Sequence, residues 1–335
     1  MIYWDKFFPV FVLVSELIKM SIKEKYICPF TDFGFKKLFG TELNKDILID
    51  FLNELLKKDT GEIIDLTYLS TEQLGQNIDA RKAIYDIYCE SKNGEKFIVE
   101  LQKAKQNYFK DRSIYYSTFP IQQQAKKGNW NFKLNAVYTI GILDFVFKED
   151  QQDTDVFHHE VQLLDKNTHK VFYDKLTYVY LEMPKFNKTE SELETHFDKW
   201  LYVLKNLEKL GQRPKKLQER IFTKLFKQAE IANYTPTEYA EYENSLKIYR
   251  DLKNSIDTAF DEGKLEGMVE GLEKGLEKGL EKGLEKGRTE GLEKGHAEGK
   301  MAGLIQTALK MKQTGFEIKH IIQITGLSQQ EIDNL

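Results

Sequence analysis

Apolar residues follow two rhythms along the chain. From Thr31 to Leu56 they recur at helical spacing, at Phe35, Leu38 and Phe39 and again at Ile47, Leu48, Phe51, Leu52 and Leu55. Gly40 divides this stretch into two helical pieces, with Thr31 or Asp32 capping the first and Asn44 the second. Ile63 to Leu69 reads as a first strand. Ala83-Ile84-Tyr85-Asp86-Ile87-Tyr88-Cys89 and Lys96-Phe97-Ile98-Val99-Glu100-Leu101-Gln102 then alternate with the period of two that a strand imposes. Between them Ser91-Lys92-Asn93-Gly94-Glu95 signals a hairpin turn. A helix is predicted from about Tyr108 to Lys127, kinked or broken at Pro120, which removes a backbone donor. Ala136 to Leu143 is almost continuously apolar, as in a central strand covered on both faces. Val156 to Leu164 and Leu176 to Met183 supply further strands. Helices follow over Leu193 to Leu210, Leu217 to Ala232 and Thr237 to Phe260, with Thr235 and Thr237 at caps and Glu241 near a first turn. This order predicts an α/β core with a mixed sheet over residues 25–185, then a helical extension over 186–260.

From Gly263 to Gly303 glycine recurs every fourth residue, in a Gly-Leu-Glu-Lys unit that drifts after Lys286. Period four overshoots the helical 3.6, so an apolar stripe winds around the helix and forms no single face. Each interior glycine costs about 1 kcal/mol against alanine. A frayed helix or linker over 261–303 is the expectation, and a self-associating helix that makes a homo-oligomer is the alternative. The tail, 304–335, reads as small helices broken at Gly315. Ser328-Gln329-Gln330-Glu331 has the form of a capping box, and Thr325-Gly326-Leu327-Ser328 forms the turn of a helix-turn-helix-like module or a generic helical hairpin.

The hairpin carries the candidate chemistry. Alternation puts Ile84, Asp86 and Tyr88 on one face, and Ile98, Glu100 and Gln102 on one face of the partner strand. Loop length decides whether the two carboxylates meet. A two-residue Asn93-Gly94 loop sets Glu100 opposite Ile87. A three-residue loop, Lys92-Asn93-Gly94, sets Asp86 opposite Glu100, with Gly94 in the left-handed region its last position requires. Cβ atoms directly opposite lie about 5 Å apart, where like charges repel unless a divalent cation sits between them. The geometry therefore permits a hard-cation site. The bland reading is a pair of carboxylates satisfied by backbone or lysine partners.

Composition narrows the picture modestly. A 335-residue chain with 41% hydrophobic and 13% aromatic residues can bury a sizeable core. The formal net charge of −4 offers no global basicity. A nucleic-acid face would have to be local, drawn from Lys103, Lys105, Lys110, Arg112, Lys126, Lys127 and Lys133. Two cysteines, Cys28 and Cys89, are too few for a disulfide framework and suit a reducing cytoplasm. His158 and His159 are adjacent, hence on opposite faces of a strand and poorly placed to share a metal. Phe7 to Val14 is apolar but far short of the ~20 residues of a membrane span, so no membrane partner is expected. Residues 1–19 read as a non-native extension ahead of Met20.

An Asp on one strand followed by Glu-x-Gln on the next resembles the PD-(D/E)XK nuclease superfamily, with Gln102 in the usual lysine place. Thr31-Asp32-Phe33-Gly34-Phe35-Lys36-Lys37-Leu38-Phe39-Gly40 upstream and Tyr108-Phe109-Lys110-Asp111-Arg112-Ser113-Ile114-Tyr115-Tyr116 downstream narrow the resemblance to the recombination-promoting nuclease/transposase family, from about Tyr26 to about Lys264. It implies a restriction-endonuclease-like α/β fold, a mixed sheet flanked by helices, and a DNA endonuclease dependent on Mg²⁺ or Mn²⁺. It implies Asp86 and Glu100 as metal ligands, the Leu101 backbone carbonyl as a third oxygen, and Asp32 as an extra acidic residue near the metal or simply a helix cap. Gln102 can position water but supplies neither base nor charge. Arg112 and Tyr116, four apart on one helical face, are candidates to clamp phosphate or a stabilising surface pair. Lys36 either binds phosphate or is solvated. Lys103 is a further phosphate candidate, although alternation turns it to the other face of the strand. The rival readings are a catalytically weak DNA-binding or defence-associated interaction protein that keeps the fold, and a scaffold that oligomerises through the repeat.

Overall fold

The computed structural model describes residues 24–73, 83–125, 129–149 and 155–335. The N-terminal extension, Lys126 and Lys127 fall outside the described residues. In chain order the longer elements are α1 (Asp32–Phe39), α2 (Lys45–Thr60), β1 (Leu66–Tyr68), β2 (Glu72–Gln73), β3 (Ala83–Ile84), β4 (Ile87–Ser91) and β5 (Lys96–Gln102). They continue with α3 (Phe109–Gln123), β6 (Val137–Leu143), β7 (His158–Leu164), β8 (Val171–Glu182), α4 (His196–Asn206), α5 (Arg220–Ala229), α6 (Pro236–Gln313), α7 (Ile318–Thr325) and α8 (Gln329–Asp333). The chain divides into two units at Ile256/Asp257.

Six strands of the first unit form one mixed sheet in the order β1-β4-β5-β6-β8-β7. The β5–β6 and β6–β8 pairs are parallel and the others antiparallel. Every residue of β6 is buried, which explains its unbroken apolar sequence. One face of the sheet presents Ile87, Val99, Ile140, Val179 and Leu181 to the main core. There Trp200 of α4 packs between Phe39 and Phe51 of α1 and α2 and Phe222 of α5. Full burial of each such side chain contributes about 1.5–3 kcal/mol. The opposite face is covered by α3, with Tyr88 and Ile98 against Phe119, and Tyr180 against Phe109.

Local sequence accounts for most boundaries. The Thr31 hydroxyl accepts from Gly34 N and caps α1. Asn44 precedes α2 but makes no capping bond; its amide donates to the Lys37 carbonyl at 2.7 Å and ties the two helices together. The hairpin has the three-residue Lys92-Asn93-Gly94 loop: Ile87 pairs with Val99, Cys89 with Phe97, and Gly94 stands at φ +85°.

Two expectations change. The run Ala83 to Cys89 is two strands, because Tyr85 and Asp86 leave the ladder and β3 pairs with β2 in a separate two-stranded sheet. Ile84 is consequently exposed and does not share the buried face of Tyr88. Pro120 does not break α3, which continues to Gln123. The Tyr116 carbonyl, which a residue-120 N–H would normally meet, accepts instead from the Tyr85 hydroxyl at 3.0 Å. The glycine repeat takes the helical form of the two expected: the helix opening at Pro236 runs through it to Gln313, with every residue from Asp251 to Gly303 exposed.

Within the second unit the tail folds on itself. Ala308, Ile321, Leu327 and Ile332 form its small core. Gly315 and Gly326 take positive φ at the stops, and Ser328 with Glu331 makes the capping box before α8. Among the described residues no helix is long and apolar enough to cross a membrane.

Candidate active site

The departure of Tyr85 from the sheet creates the site. Continuing the β4–β5 register would set Tyr85 against Leu101 and Asp86 against Glu100. Tyr85 N donates instead to the Thr71 carbonyl, so the edge of β5 beside Leu101 loses its strand partner. The Asp86 carboxylate replaces it: Leu101 N donates to Asp86 Oδ2 at 2.7 Å. In return Asp86 N donates to Glu100 Oε1 at 3.3 Å. A strand residue points its N–H and C=O to the same side, so the Leu101 carbonyl faces this edge as well.

Asp86 and Glu100 are both half-buried. Burial, and then the neighbouring Asp86 carboxylate, push Glu100 up to about 8, against the pull of the Arg112 guanidinium. Burial is also the main reason that Asp86 lies above its ordinary range; the Leu101 N–H opposes it, Asp32 adds to it, and Lys36 and Lys103 oppose it. The pair resists carrying two negative charges by itself. A divalent cation would remove that penalty, and the chemistry of the donor set fits one. No group of three or more His, Cys, Asp or Glu side chains suited to a metal occurs among the described residues. The protein would thus supply two carboxylates and a backbone oxygen and leave the remaining positions to water, as Mg²⁺ prefers.

The other candidates gather around this pair. Gln102 is buried; its Nε2 donates to the Ala104 carbonyl at 3.0 Å and its Oε1 accepts from Arg112 Nη2. Arg112 also donates to Gln106 and lies 5.7 Å from the Tyr116 ring centroid, so the pair four apart on α3 does share a face. Lys103 follows the last residue of β5, and its Nζ bonds Asp32 Oδ1 at 2.6 Å. It does turn from the Glu100 face, yet it meets the start of α1 around the strand end, near enough to act on Asp86. Lys36, one turn into α1, acts on Asp86 as well and is exposed.

Three residues here carried no functional expectation. Tyr85 bonds the Tyr116 carbonyl and packs edge-on against its ring at 5.5 Å. Gln106 holds Arg112. Gly141 pairs with Glu100 on one side and Tyr180 on the other, and a Cβ there would lie 3.0 Å from the Tyr180 ring. The tyrosine-rich α3 and the glycine in an otherwise apolar β6 were the available signals.

A mixed sheet flanked by helices, with paired carboxylates where an antiparallel hairpin adjoins a parallel strand, defines a nuclease-type α/β domain. The family described as PD-(D/E)XK nuclease family transposase matches residues 29–259, more than half of the chain, and the protein belongs to that family. No curated protein and no solved structure matches the chain.

Proposed function

We propose that the protein is a divalent-metal-dependent DNA endonuclease of the recombination or mobile-element type, hydrolysing phosphodiester bonds in the cytoplasm. The convergence of Asp86 and Glu100 at the point where β4 leaves β5 carries the reading. Asp86, Glu100 and the Leu101 carbonyl would hold Mg²⁺ or Mn²⁺, with Asp32 close behind. The ion, when bound, lowers the pKa of water and neutralises phosphate charge. Asp86 is held in place by Leu101 N–H, so the ligand geometry exists before any ion arrives. Lys103, the residue after Gln102, brings the positive charge that an amide cannot supply, and Asp32 positions it. Arg112, Tyr116 and Lys36 offer donors for the phosphates on either side. Unpaired, buried Cys28 and Cys89 suit a reducing compartment.

One observation favours the second reading, a DNA-binding or defence-associated interaction protein with weak catalysis. Both ends of the Gln102 amide are engaged, by Ala104 and by Arg112, and would have to let go to orient water. A plasmid-nicking assay with Mg²⁺ separates the two. The endonuclease reading expects nicking by the wild type and a loss of about 100-fold or more in Asp86→Ala, the scale on which removing a fixed electrostatic group acts. Binding without nicking in the wild type would leave the weak-catalysis reading standing.

A further inference from the structure

We propose that the cavity between α3 and strands β7 and β8 binds a single unpaired nucleobase of the DNA strand held at the carboxylate site. The proposal rests on the endonuclease reading for the identity of the strand. The cavity measures about 360 Å³, within the range of about 300–1,000 Å³ common for small-molecule sites. Its wall is aromatic. Phe147, Tyr178 and Tyr180 line it, and the two tyrosine rings lie nearly parallel at 19°. Their orientation is fixed from behind: the Tyr178 hydroxyl bonds Ser117 Oγ at 2.8 Å, and Ser113 of the same helix bonds Tyr180. The aromatic wall is therefore set before any ligand arrives, with each of the three rings largely buried and only the part that borders the cavity open to a ligand. Its polar groups are few: His159 and Gln162 of β7, the latter with its Nε2 donating to Thr177 Oγ1 at 3.0 Å, and Lys110 of α3. An apolar aromatic cavity with a few hydrogen-bonding groups in its wall is the chemistry that takes up a base.

Position ties the cavity to the site. Glu100 pairs with Gly141, Gly141 with Tyr180, and Tyr180 with His159, so all four lie in one lateral row on the α3 face of the sheet. Three inter-strand steps at about 4.8 Å place His159 roughly 14 Å from Glu100. That span corresponds to about four nucleotides at 3.4 Å each, or fewer in an extended strand. Helix α3 separates the two places and serves both. Arg112 faces the carboxylates, and Lys110, two residues and about 200° around the helix, lines the cavity. Lys110 is exposed; its Nζ bonds Glu149 Oε1 at 2.8 Å and lies 4.5 Å from the Phe147 ring centroid, and the phosphates of a strand that leaves the site would compete with Glu149 for it.

Stacking one base on an aromatic side chain contributes about 1–3 kcal/mol, or about 5- to 150-fold in affinity. The test is fluorescence anisotropy on the full chain without divalent metal. The probes are a fully paired duplex and the same duplex carrying one unpaired 2-aminopurine. The wild type should bind the second at least about 5-fold more tightly. Leu163→Trp, at a half-exposed position in the cavity wall, should abolish the preference and leave affinity for the paired duplex unchanged. Equal affinity for both probes in the wild type, no binding to either, or a preference retained in Leu163→Trp would overturn the proposal. Nicking with Mg²⁺ is scored separately. A preference without nicking removes the nuclease reading and keeps the cavity, and nicking without a preference does the reverse.

Discussion

Tyr85→Phe isolates one hydrogen bond between the site and the helix beside it. The Tyr85 hydroxyl donates to the Tyr116 carbonyl at 3.0 Å, the acceptor that Pro120 leaves without its helical partner. The Tyr85 ring is buried, and its tilted contact with Tyr88 and edge-on contact with Tyr116 survive in phenylalanine. The change therefore removes a donor and little packing. Leaving this part-buried acceptor unmet costs about 1–2 kcal/mol, the lower part of the range for buried groups. Pro120→Ala supplies the missing N–H from within the helix, so in that background Tyr85→Phe should cost under about 0.5 kcal/mol. The cycle then yields a coupling of about 0.5–2 kcal/mol, within the range for residues sharing one acceptor. Urea unfolding followed through the fluorescence of the buried Trp200 reads all four proteins. If Tyr85→Phe cost the same in both backgrounds, the hydroxyl would not be standing in for the helix bond.

Other outcomes follow from the same geometry. Mg²⁺ or Mn²⁺ at ten times its dissociation constant should stabilise the wild type by about 1.4 kcal/mol in thermal melts, and Asp86→Ala should show no such gain. His196 bonds Asp50 Oδ1 at 2.6 Å, which raises its pKa in the folded state. Its stabilisation is therefore complete below the unfolded value of about 6.5 and lost as pH rises through the folded one; His196→Gln should flatten that part of the stability profile, and an unchanged profile would remove the ion pair from the account. Gly94→Ala forces φ +85° on a residue with a Cβ, 2.4 Å from the Asn135 amide. It should cost about 1–2 kcal/mol in urea unfolding, and a neutral result would mean that the loop readily changes type. Across Gly263 to Gly303 amide exchange should be fast because the helix there is exposed throughout; Gly275→Ala with Gly279→Ala should slow it, and strong protection in the wild type would point to self-association.

The hairpin shows how far the sequence could be read. Gly94 and the three-residue loop were enough to set Asp86 opposite Glu100, because side-chain period and turn chemistry both act within a few residues. The departure of Tyr85 was not legible, since alternation from Ala83 to Cys89 is the same for one strand or two. What separates them is the pairing of β3 with β2, an interaction with a segment ten residues away. The reach of Lys103 was not legible for a related reason. Its face follows from alternation, but the strand ends one residue earlier, and only the arrival of Asp32 from α1 shows where the ammonium goes. Pro120 was read as a breaker because its replacement donor lies 35 positions back, on the far side of a hairpin. The repeat was read from propensity, which sets how firmly a helix holds and does not by itself decide whether one forms.

The bond from Leu101 N–H to Asp86 makes one side chain serve both the backbone and the site. An asparagine at that position would keep an oxygen able to accept the same N–H, whereas alanine would strand it. Exchanging a single oxygen for nitrogen could then extinguish chemistry at almost no loss of folding stability. On the endonuclease reading, an Asp86→Asn protein would be inert yet give no sign of it through solubility or melting temperature.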